Sequence, residues 1–285
     1  MINQFGKWKV FSIESGDFRL DGGAMMGSVP KVLWEKTNPC DNLNRINLSL
    51  RCLLIDDGIN KVLIETGMGN KLDDNFINMF HVRQSMFPLK DKLNKYGYQL
   101  EDINHVILTH LHFDHAGGAT VVDQSGRIKP AFPNAKYYIS KKNWQSGLDP
   151  NPRDRASYIK ENYLPLEEYK CIELVNENTE IIDGISTINV DGHTFGQQLI
   201  KINGGDQNLV FCSDLIPLKS HLQLPWIMGY DLNALKTLEE KKYFLNIAAD
   251  NKWWIWFYHD PLTVAVRVVR GKKYFDVVEE ILRNE

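Results

Sequence analysis

The sequence predicts an α/β protein built from two sheets packed face to face with helices outside. Three observations predict it. Short apolar runs rich in β-branched residues recur along the chain, and amphipathic stretches interrupt them. The run His105-Val106-Ile107-Leu108 ends directly in Thr109-His110-Leu111-His112-Phe113-Asp114-His115-Ala116-Gly117-Gly118. A polar loop at the carboxyl end of a strand is where α/β proteins place their chemistry. The 285 residues, 43% hydrophobic and 24% charged, show no linker, repeat or low-complexity tract. One domain over 1–285 is expected, with an inserted or appended cap.

Residues 8–15 and 48–55 read as strands, and 61–65 pairs with the latter through an Asp57-Gly58 turn. Residues 89–96 read as a short helix stopped by Gly97. A strand is expected at Lys136–Ser140 and a helical turn at 141–145. The stretch 150–169, rich in Pro, Arg, Tyr and Asn, reads as an excursion from the core and marks the cap near 150–170. Residues 173–175, Ile185–Val190, 198–202 and 209–212 read as a second set of strands. Residues 235–249 form the clearest amphipathic helix. Strands at 253–257 and 263–269 follow, and 274–282 is expected to close the chain as a helix. Arg267, Arg270, Lys272 and Lys273 then read as its solvated start.

The loop after the 105–108 strand packs three imidazoles and a carboxylate into six positions. Imidazole and carboxylate suit zinc and similar divalent metals. In extended geometry His110 and His112 point the same way, since Leu111 alternates between them. Asp114 and His115 turn toward a second point, which is the layout of a two-metal site. Ala116-Gly117-Gly118 lets the chain pass close by without side-chain bulk. One loop cannot close two sites, so further donors are expected at strand ends. His193 follows Ile185–Val190, Asp214 follows Leu209-Val210-Phe211-Cys212-Ser213, and His259 follows Trp253-Trp254-Ile255-Trp256-Phe257-Tyr258.

With these residues in order, the chain resembles the metallo-β-lactamase superfamily of hydrolases over about 48–259. The resemblance implies a four-layer αβ/βα sandwich with two mixed sheets flanked by helices. It implies that His110, His112 and His193 hold one metal, that Asp114, His115 and His259 hold the second, and that Asp214 bridges both. Three further stretches resemble the branch of quorum-quenching lactonases and organophosphate hydrolases. They are Leu20-Asp21-Gly22-Gly23-Ala24-Met25-Met26-Gly27, Arg153-Asp154-Arg155-Ala156-Ser157-Tyr158 and Leu224-Pro225-Trp226-Ile227-Met228-Gly229-Tyr230-Asp231. Two positions depart from the pattern. Glu65 stands in Leu63-Ile64-Glu65-Thr66-Gly67 where the superfamily usually has Asp, and it is expected to orient a ligand imidazole from behind. Pro217 stands three residues after Asp214, where the best-known acyl-homoserine lactonases carry a proton-donating Tyr.

The expected cofactor is two divalent metal ions, zinc first, with manganese, iron and cobalt also suited to these donors. Two metals bridged by a carboxylate and a hydroxide make a nucleophile at neutral pH. The expected reaction is hydrolysis of a lactone or ester of a small, partly apolar molecule. The alternative is a phosphotriesterase. A nuclease would need a basic surface, which a net charge of −3 does not supply. A glyoxalase II-like thioesterase would need a basic set toward the C-terminus, and a β-lactamase would be exported. Trp226, Met228, Tyr230, Phe87 and Tyr158 are expected to wall the substrate, together with Ile227 and Met86. Asp114 is expected to accept a hydrogen bond from the nucleophile, and Tyr230 and His221 are the candidate proton donors. His81 and His105 read as structural. The start lacks a signal-peptide core, no run is long enough to span a bilayer, and Cys40, Cys52, Cys171 and Cys212 read as reduced thiols. A cytoplasmic protein is expected, with a small-molecule substrate, no nucleic-acid or membrane partner, and a homodimer compatible with the chain.

Overall fold

The computed structural model describes residues 4–283. Two seven-stranded sheets carry the chain. The first half contributes β1 (Gln4–Phe5), β2 (Trp8–Asp21), β3 (Arg45–Asp56), β4 (Lys61–Ile64), β5 (His105–Ile107), β6 (Thr120–Val122), β7 (Ile128–Pro130), β8 (Lys136–Ser140) and β9 (Ile172–Val175). Its sheet runs β1-β2-β3-β4-β5-β8-β9, antiparallel as far as β4 and parallel beyond, and β6 and β7 form a separate hairpin. The second half contributes β10 (Glu180–Ile182), β11 (Ile185–Val190), β12 (Gln197–Asn203), β13 (Asn208–Phe211), β14 (Trp254–Trp256), β15 (Thr263–Arg270) and β16 (Phe275–Leu282), in that spatial order. Only β13 and β14 are parallel there.

Helices fill the connections: α1 (Gly22–Met26), α2 (Lys31–Trp34), α3 (Asp74–Phe80), α4 (Pro88–Lys95), α5 (Phe113–Ala116), α6 (Lys141–Leu148), α7 (Leu164–Glu168) and α8 (Ala234–Asp250). The asparagine side chain of Asn233 caps α8 by accepting from Lys236 N at 3.0 Å. Its buried face carries Thr237, Lys241, Phe244, Leu245, Ala248 and Ala249. None of the helices among the described residues is long and apolar enough to cross a membrane. The four cysteines are free thiols.

The two sheets meet where the chemistry will lie. From Leu48 to Asp56, β3 is buried on both faces, and its apolar run takes in the buried polar residues Ser49, Arg51 and Asp56. Ser49 N donates to His259 O at 2.9 Å and Arg51 N to Tyr258 O at 3.1 Å. From the other side Gln198 N donates to Thr109 O at 3.0 Å, and the Gln198 amide to Leu108 O at 2.9 Å. The loops after β5, β13 and β14 are thereby drawn to one seam.

Two expectations are corrected. Of residues 274–282, Phe275–Leu282 form strand β16, and no helix closes the chain among the described residues. Apolar residues at 274, 277, 278, 281 and 282 fit a helical face equally well, so periodicity alone misleads. The β-branched Val277, Val278 and Ile281 and the antiparallel partner β15 decide for a strand. Arg267 accordingly pairs across the ladder with Glu279 at 2.9 Å instead of opening a helix. Residues 173–175 belong to the first sheet, as β9 beside β8, because pairing partners are a tertiary choice that a short run does not encode. The 150–169 stretch holds two single 3-10 turns, Arg155–Ser157 and Lys160–Asn162, and then α7.

Candidate metal centre

The loop after β5 turns sharply into α5, with His112 extended at its start. This turn separates the directions of His110 and His112 from those of Asp114 and His115. It needs Gly117 and Gly118 behind it. A Cβ on Gly117 would lie 2.3 Å from Met68 O, and one on Gly118 would lie 2.1 Å from Thr66 O.

Two groups of donors converge. In the first, His110 Nε2 and His193 Nε2 lie 3.0 and 3.3 Å from His112 Nδ1. In the second, His115 Nε2 lies 3.3 Å from His259 Nε2, and Asp114 Oδ2 lies 3.8 and 3.5 Å from these nitrogens. Asp214 stands between the groups. Its Oδ2 faces the first, 3.3 Å from His193 Nε2 and 4.0 Å from His110 Nε2. Its Oδ1 faces the second, 3.5 Å from His115 Nε2 and 3.2 Å from His259 Nε2.

The far side of four of the five rings faces a protein group. His193 Nδ1 donates to Asp231 Oδ1 at 2.9 Å, and His259 Nδ1 to Ser49 O at 2.9 Å. The Thr109 hydroxyl donates to Glu65, so its oxygen accepts from His110 Nδ1 at 3.0 Å, while Ser213 Oγ lies 2.7 Å away. Glu65 Oε1 lies 3.3 Å from His115 Nδ1. These contacts turn Nε2 of four rings inward. His112 alone presents Nδ1, and its Nε2 is buried without a partner. Glu65 and Ser213 both adopt left-handed backbone, with φ of 66° and 44°. Such strain persists where the surroundings over-determine it, as at functional sites.

The electrostatics describe a site with surplus donors. Burial, reinforced by neighbouring imidazoles, holds His110 and His112 well below the ordinary histidine range. Burial also opposes charge on His115 and His193, but the carboxylates beside them outweigh it and raise both. For Asp214, burial favours the neutral acid, yet His115, His259 and His193 hold it well below the usual carboxylate range. The neutral His110 and His112 rings therefore face each other nitrogen to nitrogen at 3.0 Å, and His112 keeps a buried Nε2 with no hydrogen-bond partner. A tetrahedral ion with bonds of about 2.0–2.1 Å to nitrogen sets its donors roughly 3.3 Å apart. The nitrogens, their spacing and the two-sided carboxylate all fit a pair of divalent ions.

A family model described as the metallo-beta-lactamase superfamily matches residues 50–249. The chain belongs to the metallo-β-lactamase superfamily. An N-acyl homoserine lactonase of Bacillus cereus is 28% identical over 213 residues, spanning 69% of this chain and 78% of that one. A probable metal-dependent hydrolase from Staphylococcus aureus superposes with a TM-score of 0.90 at 29% identity, covering 99% of both chains. AidC, a dizinc quorum-quenching lactonase in complex with a product, superposes at 0.81 and 20% identity, covering 99% of this chain and 97% of that one. That last likeness is one of fold.

As a member of the metallo-β-lactamase superfamily, the protein is a metal-dependent hydrolase with a mixed α/β fold of two large sheets. The remaining expected site residues scatter. Tyr230 is 39% exposed. Desolvation pushes its phenol up to about 12, and the Asp21 and Asp114 carboxylates add to this. The Tyr158 ring meets His112 edge-on at 4.9 Å, but its hydroxyl turns inward to Thr194 at 2.8 Å and Asn143 at 3.3 Å. His81 ends α3 in the left-handed region, and His105 Nδ1 lies 3.1 Å from the Tyr138 hydroxyl.

Five side chains stand elsewhere than expected. Met228 is packed in the core, because Gly229 N is tied to Ala24 O at 2.8 Å and the chain turns inward there. Phe87 and Met86 line a separate hollow with Gly69, Leu100, Gly118 and Phe132, since α4 carries them away from the seam. Trp226 lines a groove of about 1060 Å³ whose walls include Leu33, Ile46 and Leu262 but none of the seven donors. His221 is buried, and its Nε2 donates to Met25 O at 2.9 Å. Burial pushes this ring down to about 3, so it is neutral and its proton is committed to the backbone.

Sequence reading missed Asp231 behind His193 and Thr109 behind His110. It also missed the aromatic group beside the metal loop. Phe113 lies 5.0 Å from Phe76 and 5.5 Å from Phe80, ring centre to ring centre. The i, i+4 spacing of Phe76 and Phe80 after the capping Asp73 is the signal from which α3 was there to be found.

Proposed function

We propose that this protein hydrolyses a lactone or ester of a small, partly apolar molecule, in the manner of an N-acyl homoserine lactonase. The observation that carries the reading is the division of Asp214, one oxygen toward each group of imidazoles. His110, His112 and His193 would hold one ion, Asp114, His115 and His259 the other, with Asp214 shared. Zinc is the first choice, by likeness to the dizinc lactonase AidC. Bound there, divalent ions supply Lewis acidity and lower the pKa of water toward neutrality.

The chain's own groups supply the rest. Asp114, besides holding the second ion, would accept a hydrogen bond from the attacking water and so orient it. Tyr230 keeps its proton at neutral pH and offers it to the leaving alkoxide, the role that Pro217 cannot fill. Phe76, Phe80 and Phe113, all partly exposed, form the apolar wall beside the loop. The sequence likeness to the Bacillus lactonase supports the substrate class.

The test is elemental analysis of purified protein, joined to turnover of an acyl homoserine lactone, an aryl ester, a phosphotriester and a phosphodiester. About two ions per chain and preferred turnover of the lactone or ester are expected. No bound metal, with no activity recovered on adding zinc or manganese, overturns the reading. Turnover of the phosphotriester alone moves it to the phosphotriesterase class.

A further inference from the structure

Lys241 is an amine buried in the protein interior with backbone carbonyls for partners. It projects from the packed face of α8 and is 1% exposed. Its Nζ donates to Gln223 O at 3.2 Å and to Trp226 O at 2.5 Å. Those carbonyls bracket one turn, since Trp226 N donates to Gln223 O at 3.0 Å. Burying an ammonium is costly unless its hydrogen bonds are made. A methionine of similar length would fill the same space on α8 without that cost. The buried amine therefore serves the two carbonyls.

The segment it grips runs from Asp214 to Asp231 and carries Tyr230. At one end His221 is tied to Met25 O. At the other, Gly229 is tied to Ala24 O and to Arg153, and Asp231 to His193. Between these anchors, the backbone of 222–228 otherwise bonds only to positions three residues away, among the described residues. Lys241 is the one long-range polar tie across this span. We propose that Lys241 is a positioning residue that fixes the 218–231 strap and so sets Tyr230 at the mouth of the metal centre. This rests on the proton-donor role given to Tyr230 above.

The role has a signature that a purely structural lysine lacks. A lactone leaves an alkoxide that needs a proton, whereas a nitrophenyl ester leaves a phenoxide that does not. Lys241→Met should therefore lower kcat for an acyl homoserine lactone about tenfold or more, within the range of acid catalysis. Turnover of the nitrophenyl ester should change little. Tyr230→Phe should show the same split, and the double variant should lose no more than Tyr230→Phe alone. Hydrogen exchange supplies the reading that needs no substrate. Peptides covering 222–231 should exchange faster in Lys241→Met, while those covering 110–118 keep their wild-type rate. If Lys241→Met does not fold, Lys241→Gln, which keeps an N–H but withdraws it, takes the same measurements. Equal losses on both substrates, additive losses in the double variant, or unchanged exchange across 222–231 overturn the proposal. Absence of lactone turnover in the wild-type protein overturns the substrate reading instead, and exchange still decides the strap.

Discussion

Glu65 Oε1 lies 3.3 Å from His115 Nδ1, and both side chains are fully buried. The same oxygen accepts from Thr109 N at 3.2 Å and from the Thr109 hydroxyl, which in turn holds His110 Nδ1. One carboxylate thus steers an imidazole in each donor group, His115 directly and His110 through Thr109. Glu65→Gln keeps the shape and removes the charge. Metal affinity should fall about 10–100-fold, as for other residues that orient ligands from behind. Competition with a chelator measures this, and a cooperative unfolding transition confirms that the fold remains.

Asp214→Ala should cost both metal pairing and hydrolysis, because the two oxygens it removes face different groups. Elemental analysis should show fewer than two ions per chain. A variant that keeps both ions and wild-type turnover would show that the carboxylate is not shared.

Asp231→Asn tests the opposite side. Asp231 Oδ1 takes the Nδ1 proton of His193, and its other oxygen is buried without a partner. Loss of the charge should weaken the group of His110, His112 and His193 by about 10–100-fold and leave the other nearly intact. A stepwise metal titration should show one step displaced and one retained.

Phe76→Ala should change the ranking of short- and long-chain lactones, because one apolar contact contributes about 1–3 kcal/mol to discrimination. Metal content should stay the same. If Trp226→Ala moves the ranking and Phe76→Ala does not, the acyl group lies in the groove beside the strap.

Lys241 also makes a prediction about pH. Burial pushes its pKa from the ordinary 10.5 down to about 7. Between those values the unfolded chain holds a proton that the folded protein does not. Stability therefore rises with pH across this window, and the penalty is fully present below about 7. The slope from one such group is at most about 1.4 kcal/mol per pH unit. Lys241→Met should flatten it, which urea unfolding at several pH values above neutrality will show.

By itself the sequence determined the candidate donors and most of the strands that carry them. His110, His112, Asp114 and His115 announce themselves because metal-binding side chains at that spacing have few other reasons to occur together. His193, Asp214 and His259 are readable because each ends an apolar run. Strand pairing at 61–65 was legible because its turn is local. The tertiary structure alone decided the rest. Which ring nitrogen faces inward depends on Asp231, Ser49, Thr109 and Glu65, whose partners lie 1 to 210 positions away. The turn of residues 275–282 into β16 was decided by an edge of β15 that local periodicity does not reveal. Phe87, Met228 and Trp226 stand away from the expected wall, and Phe76 and Phe80 pack against Phe113 of the metal loop. The physical reason is one of range. Residue type and spacing carry chemistry and local conformation, whereas side-chain direction follows from packing between segments that only the folded chain brings together.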